Sequence, residues 1–128
     1  MAGVTPEPAD RVARWLLDGP AQLKDGPGAG GVIGRVSAEE PPFIYPEICG
    51  YHLSWLAWLV RWSPAQREAA TAAAARVLRW LESHDRENGR FVTRVHRPPS
   101  EDWRNRAEFS FDLGMVLRGL DAATVMDP

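Results

Sequence analysis

A six-residue segment occurs twice in this sequence, and the repetition limits the possible folds more than any other feature. Residues 11–16 read Arg-Val-Ala-Arg-Trp-Leu and residues 76–81 read Arg-Val-Leu-Arg-Trp-Leu, so five of six positions are identical at an offset of 65. Chains built from repeated units bury their apolar surfaces by stacking neighbouring units. The sequence therefore predicts one domain over residues 1–128, with repeat 1 over about residues 6–62 and repeat 2 over about residues 64–122.

Capping residues and apolar patterns predict four main helices. The first is expected over residues 5–18, because Thr5 is a good N-cap and Pro6 follows at the first helical position. The apolar stripe of this helix is Val12, Trp15 and Leu16. Residues 46–62 and 110–122 are apolar on most faces, which is typical of buried helices. A third helix is expected over about residues 64–83, directly after the second. The predicted fold class is all-α, with two helical hairpins in which helices two and four are inner and helices one and three are outer.

Charge and composition argue against several classes of partner. The chain has 15 basic and 17 acidic side chains, a formal charge of −2, so no overall field favours nucleic acid or an anionic membrane. The longest uncharged stretch around the most apolar region, residues 48–60, is shorter than the roughly 20 residues of a membrane-spanning helix. Residues 1–17 lack the apolar run of a secretory signal, and Cys49 is the single cysteine. A cytoplasmic protein without an intrachain disulfide is expected.

Two glycine-containing loops connect the helices of the two hairpins. Residues 30–36 (Gly-Gly-Val-Ile-Gly-Arg-Val) resemble residues 89–95 (Gly-Arg-Phe-Val-Thr-Arg-Val), which pairs Arg35 with Arg94. Planar guanidinium groups at equivalent loop positions are suited to binding a carboxylate, a phosphate or sugar hydroxyls. A salt bridge from either arginine to a neighbouring acid is the structural alternative. The first loop lacks the lysine and preceding strand of phosphate-binding motifs, and no cofactor is expected.

The repeat pattern as a whole resembles the six-hairpin α/α-toroid superfamily. The resemblance lies in the glycine loops, in residues 45–51 (Tyr-Pro-Glu-Ile-Cys-Gly-Tyr), in residues 111–117 (Phe-Asp-Leu-Gly-Met-Val-Leu) and in Gly119-Leu120. This superfamily includes glycosidases, unsaturated-uronate hydrolases, sugar epimerases, terpene cyclases, prenyltransferase β subunits and lanthionine cyclases. It implies a barrel of paired helices around a cavity, but not one particular reaction.

Two acids are the candidate catalytic residues. The offset of 65 aligns Glu47 with Asp112, each in the first turn of a predicted inner helix. In toroid enzymes this end of the repeat faces the cavity, and two carboxylates there would serve as general acid and base in glycoside chemistry. The structural alternative is that each acid stabilises the positive end of its own helix dipole.

Further side chains are candidates for binding a substrate beside these acids. Aromatic rings offer stacking faces for sugars or other flat ligands, although Trp55 and Trp58 fit a packed core at least as well. The predicted substrate-binding residues are Arg35, Arg94, Tyr45, Tyr51, His52 and Trp103.

A metal site is considered and not expected. Cys49 and His52 lie three residues apart on one helix, so both could reach one zinc ion. Similar residue types bind zinc in prenyltransferases and lanthionine cyclases, which makes a zinc-dependent toroid fragment the third hypothesis. A third ligand would have to be His84, His96 or an acid, and a buried thiol beside a packed histidine is the simpler interpretation.

Two main functional hypotheses follow. The first is that the chain is part of a carbohydrate-active toroid that binds a sugar or another small molecule. The alternative is a non-catalytic module that binds a partner protein or peptide through the open edge of its helix layer. Because a closed toroid has about twelve helices and this chain has four, we expect a homo-oligomer or a partner chain that supplies further hairpins. A twofold dimer is favoured over a trimer because twofold interfaces are the most common.

Overall fold

The computed structural model describes residues 7–96 and 101–126. Its helices and strands are α1 (Pro8–Asp18), β1 (Phe43–Ile44), α2 (Pro46–Trp62), α3 (Arg67–Asn88), β2 (Val95–His96) and α4 (Ser110–Ala123). Short 3-10 turns cover Pro64–Gln66, Trp103–Asn105 and Thr124–Met126. The predicted all-α class is confirmed. Within the described residues, no helix is both long enough and apolar enough to cross a membrane.

Three of the four helices match their predicted ranges closely, and one prediction falls partly outside the described residues. Helix α2 has the predicted bounds, and α4 extends one residue further than predicted. Helix α3 begins after a 3-10 turn at residues 64–66 and continues to Asn88, five residues beyond the predicted end. The expected N-cap Thr5 and Pro6 lie outside the described residues.

Helix α2 is the centre of the domain. It packs most extensively against α4 and next against α3, and its Leu53 and Leu56 are completely buried. Helix α4 runs parallel to α2, because Gly50 contacts Met115 near the start of both helices and Ala57 lies beside Met126 near their ends. Both helices therefore begin at the same end of the molecule, which places Glu47 and Asp112 in equivalent first turns.

Helix α1 buries a different stripe from the one predicted. Ala13 and Leu17 face the core, whereas Val12 and Trp15 are exposed and Leu16 is half-buried. Most of the predicted apolar stripe, Val12, Trp15 and Leu16, therefore lies on the side of α1 away from the core. The apolar face of α1 therefore remains largely uncovered within the described chain.

Helix α4 is not buried on most faces, contrary to the expectation for an inner helix. Its side toward α2 buries Val116, Gly119 and Ala123, but Phe111 and Leu117 on its other sides are exposed. In the described part of the chain, no other helix packs on α4 as α3 packs on α2. Within the described residues α4 is covered by α2 on one side only.

Parts of the first loop, residues 19–45, belong to the core, whereas residues 34–42 are exposed. Val32, Ile33 and Ile44 are buried, and backbone bridges join Gln22 to Val32 and Ile33 to Ile44. The loop continues into β1, which pairs antiparallel with β2 and so joins the loops of the two repeats.

A buried glutamine attaches this loop to α3. The Gln22 side-chain amide donates to the carbonyls of Gly30 (3.1 Å) and Ala73 (3.0 Å). Its oxygen accepts from Arg76 Nε at 3.2 Å and from the terminal guanidinium nitrogen at 3.1 Å. Gly30 has φ +93° and lies so close to α3 that a Cβ atom would stand 2.2 Å from the Arg76 carbonyl oxygen. Loop and helix therefore meet backbone to backbone.

Replacing Gln22 by leucine is expected to reduce the free energy of unfolding by about 2 kcal/mol, because buried hydrogen-bonding groups lose their partners. Urea titration followed by circular dichroism measures the change. The control is Gln66→Leu in the half-buried turn before α3, for which we expect a change below about 0.5 kcal/mol. Equal effects of the two substitutions would show that the Gln22 network contributes no particular stability.

Candidate functional site

Four polar residues meet where α2 and α4 begin. Tyr45 precedes α2 and Glu47 lies in its first turn, Asp112 lies in the first turn of α4, and Thr93 precedes β2. The Tyr45 phenol lies close to the side chains of Glu47 and Thr93, and it lies within electrostatic range of Asp112. We call these four residues the polar end. The structure therefore brings three of the predicted site residues together at one end of the molecule.

The antiparallel β1–β2 pair brings Thr93 to this position. Ile44 pairs with Val95, so the residues that flank them, Tyr45 and Arg94, follow in register. The Thr93 backbone N–H donates to the Ala107 carbonyl at 2.7 Å, which holds the second loop against the start of α4. The polar end is therefore positioned by both loops and by both inner helices.

Asp112 is the least exposed acid of the polar end. Only 5% of its surface is accessible, and its Oδ2 atom has no hydrogen-bond partner among residues 7–96 and 101–126. A buried carboxylate oxygen without a partner costs free energy comparable to a lost hydrogen bond, and more when the group is charged. A donor from a ligand or from water would remove this cost.

Tyr45 links the two acids electrostatically. The hydrogen bond from its phenol to the Glu47 carboxylate raises the pKa of Tyr45, and partial burial and the charge of Asp112 raise it further. The hydroxyl of Thr93 acts in the opposite direction. Tyr45 therefore stays protonated at neutral pH, and its phenol is coupled to both acids.

Arg94 and Trp103 lie on the loops around the polar end. The guanidinium carbon of Arg94 is 4.6 Å from the ring centroid of Phe43, and the Phe43 and Tyr45 rings are 6.2 Å apart. Trp103 is exposed and meets the ring of Phe109 edge to face at 6.4 Å. Arg94 thus contacts the ring of Phe43, which lies near the ring of Tyr45. The ring of Trp103 is largely open to solvent.

The other predicted binding residues lie elsewhere, in a groove between α1 and α2. This groove has a volume of about 330 Å³, and its walls include Trp15, Ile48, Tyr51, His52 and Trp55. Arg35 stands at its rim and forms a salt bridge with Glu40. Arg35, Tyr51 and His52 therefore lie in this groove on the α1 side of α2 and not among the four residues of the polar end, and their role in binding a substrate stays a prediction.

His52 lies in the wall of this groove and is largely buried. Burial lowers its pKa from 6.5 to about 4, and the positive charges of Lys24 and Arg76 contribute to the decrease. The ring is therefore neutral at pH 7. Its Nε2 atom is buried and has no hydrogen-bond partner in the part of the chain that the structure describes.

Cys49 is part of the core. Its sulfur accepts a hydrogen bond from the Val32 backbone N–H at 3.4 Å, and burial raises its pKa to about 12. In the described ranges, no three His, Cys, Asp or Glu side chains lie close enough to hold one metal ion. Cys49 and His52 therefore resemble the buried thiol and packed histidine of the simpler interpretation.

Thr93 is the member of the polar end that sequence reasoning missed. Its signal was a difference between the repeats, because the alignment of residues 30–36 with residues 89–95 places Thr93 opposite Gly34. A hydroxyl that replaces a glycine beside a candidate arginine indicates a polar function in one repeat only.

Comparisons of this chain with protein-family models, with curated proteins and with solved structures find no match.

Proposed function

We propose that the chain is part of a carbohydrate-active protein with α/α-toroid architecture, and that the polar end binds and acts on a polyhydroxylated ligand. One observation carries this proposal: a buried oxygen of Asp112 has no partner within the described ranges and lies at the same helix ends as the Tyr45–Glu47 pair. Helix-dipole stabilisation alone does not explain why an acid is buried with an oxygen unpaired.

The chemistry of the surrounding groups supports a sugar more than other small ligands. Carboxylates accept hydrogen bonds from sugar hydroxyls, and an exposed indole such as Trp103 provides a stacking face for a sugar ring. Arg94 adds donors for a ring oxygen, a hydroxyl or a uronate carboxylate. The mixture of acceptors, donors and an aromatic face is typical of carbohydrate sites.

The two carboxylates form the acid–base pair of this proposal. Glu47 lies beside the phenol of Tyr45, while a buried oxygen of Asp112 lacks a hydrogen-bond donor among the described residues. Two acids in different environments can divide the roles of proton donor and proton acceptor, as bond cleavage at a glycosidic oxygen requires.

A panel of chromogenic glycosides and unsaturated-uronyl disaccharides tests the proposal. We expect the full chain to cleave at least one member, and we expect Asp112→Asn and Glu47→Gln each to reduce kcat/KM about 100-fold or more. Asp121→Asn is the matched control, because Asp121 is an exposed acid on the same helix, and it should change kcat/KM less than about twofold. Failure of the unmodified chain to cleave any member would count against an enzymatic role.

A non-catalytic module that binds a partner protein or peptide is the second candidate. It is favoured by the exposed aromatic residues of α2, since Tyr51, Trp58 and Trp62 are unusually open for a central helix. If substitutions at the polar end leave function unchanged whereas Trp58→Glu abolishes partner binding, this second candidate replaces the first.

A further inference from the structure

One edge of the helix layer exposes a group of large apolar side chains. On α2, Tyr51, Trp58 and Trp62 are spaced by seven and four residues, so they share one helix face. Trp15 of α1 and Tyr51 of α2 line the same groove, which makes the surface continuous across both helices. We call this surface the repeat-1 edge; its members are Val12, Trp15, Tyr51, Trp58 and Trp62.

The same positions are buried in repeat 2. Trp15 is 48% exposed whereas its equivalent Trp80 is 5% exposed, and Tyr51 is 46% exposed whereas its equivalent Val116 is 2% exposed. Val12 and Trp58 are likewise exposed where their equivalents, Val77 and Ala123, are buried. In repeat 2 this surface is covered by helix α2 and by the loop that contains Gly30. The repeat-1 edge is therefore the kind of surface that a neighbouring unit covers.

The opposite edge of the layer carries charges where the repeat would require apolar residues. The completely buried Leu53 and Leu56 of α2 correspond to Arg118 and Asp121 of α4, and both charged residues are exposed. Packing another unit against this side would take two charges out of water, which costs several kcal/mol unless each finds a partner. The α4 edge thus carries two charges beside the exposed Phe111 and Leu117, and we call it capped because the two charges resist the packing of a further unit.

We infer that two copies of this chain pack repeat-1 edge against repeat-1 edge around a twofold axis. Head-to-tail stacking would place Trp58 and Tyr51 against the charged α4 edge, whereas the twofold arrangement buries apolar surface on both sides. Four half-exposed aromatic rings present on the order of 400 Å² of apolar surface per copy. The capped α4 edges stop the assembly at two copies. This inference does not depend on the proposed carbohydrate activity.

Sedimentation equilibrium of the full chain between 5 and 200 µM tests the inference. We expect a dimer, and we expect Trp58→Glu to weaken dimerisation at least 100-fold because a charge is placed at the centre of the apolar edge. Leu117→Glu is the matched control, since Leu117 is an equally exposed apolar residue of α4, and this variant should remain dimeric. Circular dichroism of each variant verifies that the helices are intact, and Tyr51→Glu replaces Trp58→Glu if that variant does not fold.

Three results would overturn the inference. The first is a monomer at 200 µM, which would mean that another molecule or no molecule covers the edge. The second is an equal loss of association in Leu117→Glu and Trp58→Glu, which would show head-to-tail contacts. The third is a trimer or larger assembly, because a capped edge permits only two copies.

Discussion

Replacing Gly119 by alanine is expected to reduce the free energy of unfolding by about 3 kcal/mol or more, at the upper end of the cost of overpacking. At this position a Cβ atom would lie 2.5 Å from the Gly50 carbonyl oxygen and 2.7 Å from the Gly50 Cα atom. These neighbours are backbone atoms, so no side-chain rotation relieves the contact. Helices α2 and α4 would have to separate along their whole interface, which is the most extensive helix contact in the domain.

Gly114→Ala provides the matched control on the same helix. A Cβ atom at Gly114 would meet nothing within 4 Å, so alanine should stabilise the protein by about 0.5–1 kcal/mol through its higher helix propensity. Urea denaturation followed at 222 nm measures both variants. A difference of less than about 1 kcal/mol between them would show that the α2–α4 crossing does not depend on backbone contact at these glycines.

The sequence predicted the helices well because their signals are local. Pro46 begins α2 and the apolar run that follows ends at Trp62, where Ser63-Pro64 starts the next turn. The repeat offset likewise predicted that Glu47 and Asp112 occupy equivalent first turns, and the structure places both near the phenol of Tyr45. Propensity and capping act over a few residues and the repeat is visible in the sequence itself, so no knowledge of the tertiary packing was needed for these predictions.

Side-chain environments were predicted less well because they depend on which neighbours exist. Trp15 and Trp80 occur in the same sequence context, yet Trp80 is buried and Trp15 is exposed, since α2 packs on α3 and the loop at Gly30 lies against Trp80. The candidate site divided for a similar reason. Tyr51 and Glu47 lie one turn apart on α2. Tyr51 nevertheless lines the groove beside α1, whereas Glu47 lies near Tyr45 at the end of the molecule where α4 begins.

His52 is expected to make the free energy of unfolding depend on pH. Neither the repeat pattern nor the composition indicates this dependence. In the unfolded chain this histidine binds a proton near pH 6.5, whereas in the folded protein burial lowers its pKa to about 4. Between these values the unfolded state binds more protons, so stability is lost as the pH falls through this window. Each pKa unit corresponds to about 1.4 kcal/mol, and the full loss is therefore about 3 kcal/mol at pH values below 4.

Leucine at position 52 is expected to remove this acid sensitivity, and it is the residue that repeat 2 has at the equivalent position, Leu117. At pH 7 we expect His52→Leu to change stability by less than about 1 kcal/mol, because a neutral ring of similar size is replaced and its unpaired Nε2 atom is removed. We define the stability difference as the free energy of unfolding of the variant minus that of the original protein. This difference should be about 2 kcal/mol more positive at pH 4.5 than at pH 7. Guanidinium denaturation at both pH values gives this double difference, in which contributions from the other titrating groups, including the carboxylates, cancel. A double difference near zero would mean that His52 becomes protonated in the folded protein as easily as in the unfolded chain, and that the positive charges of Lys24 and Arg76 do not act on it.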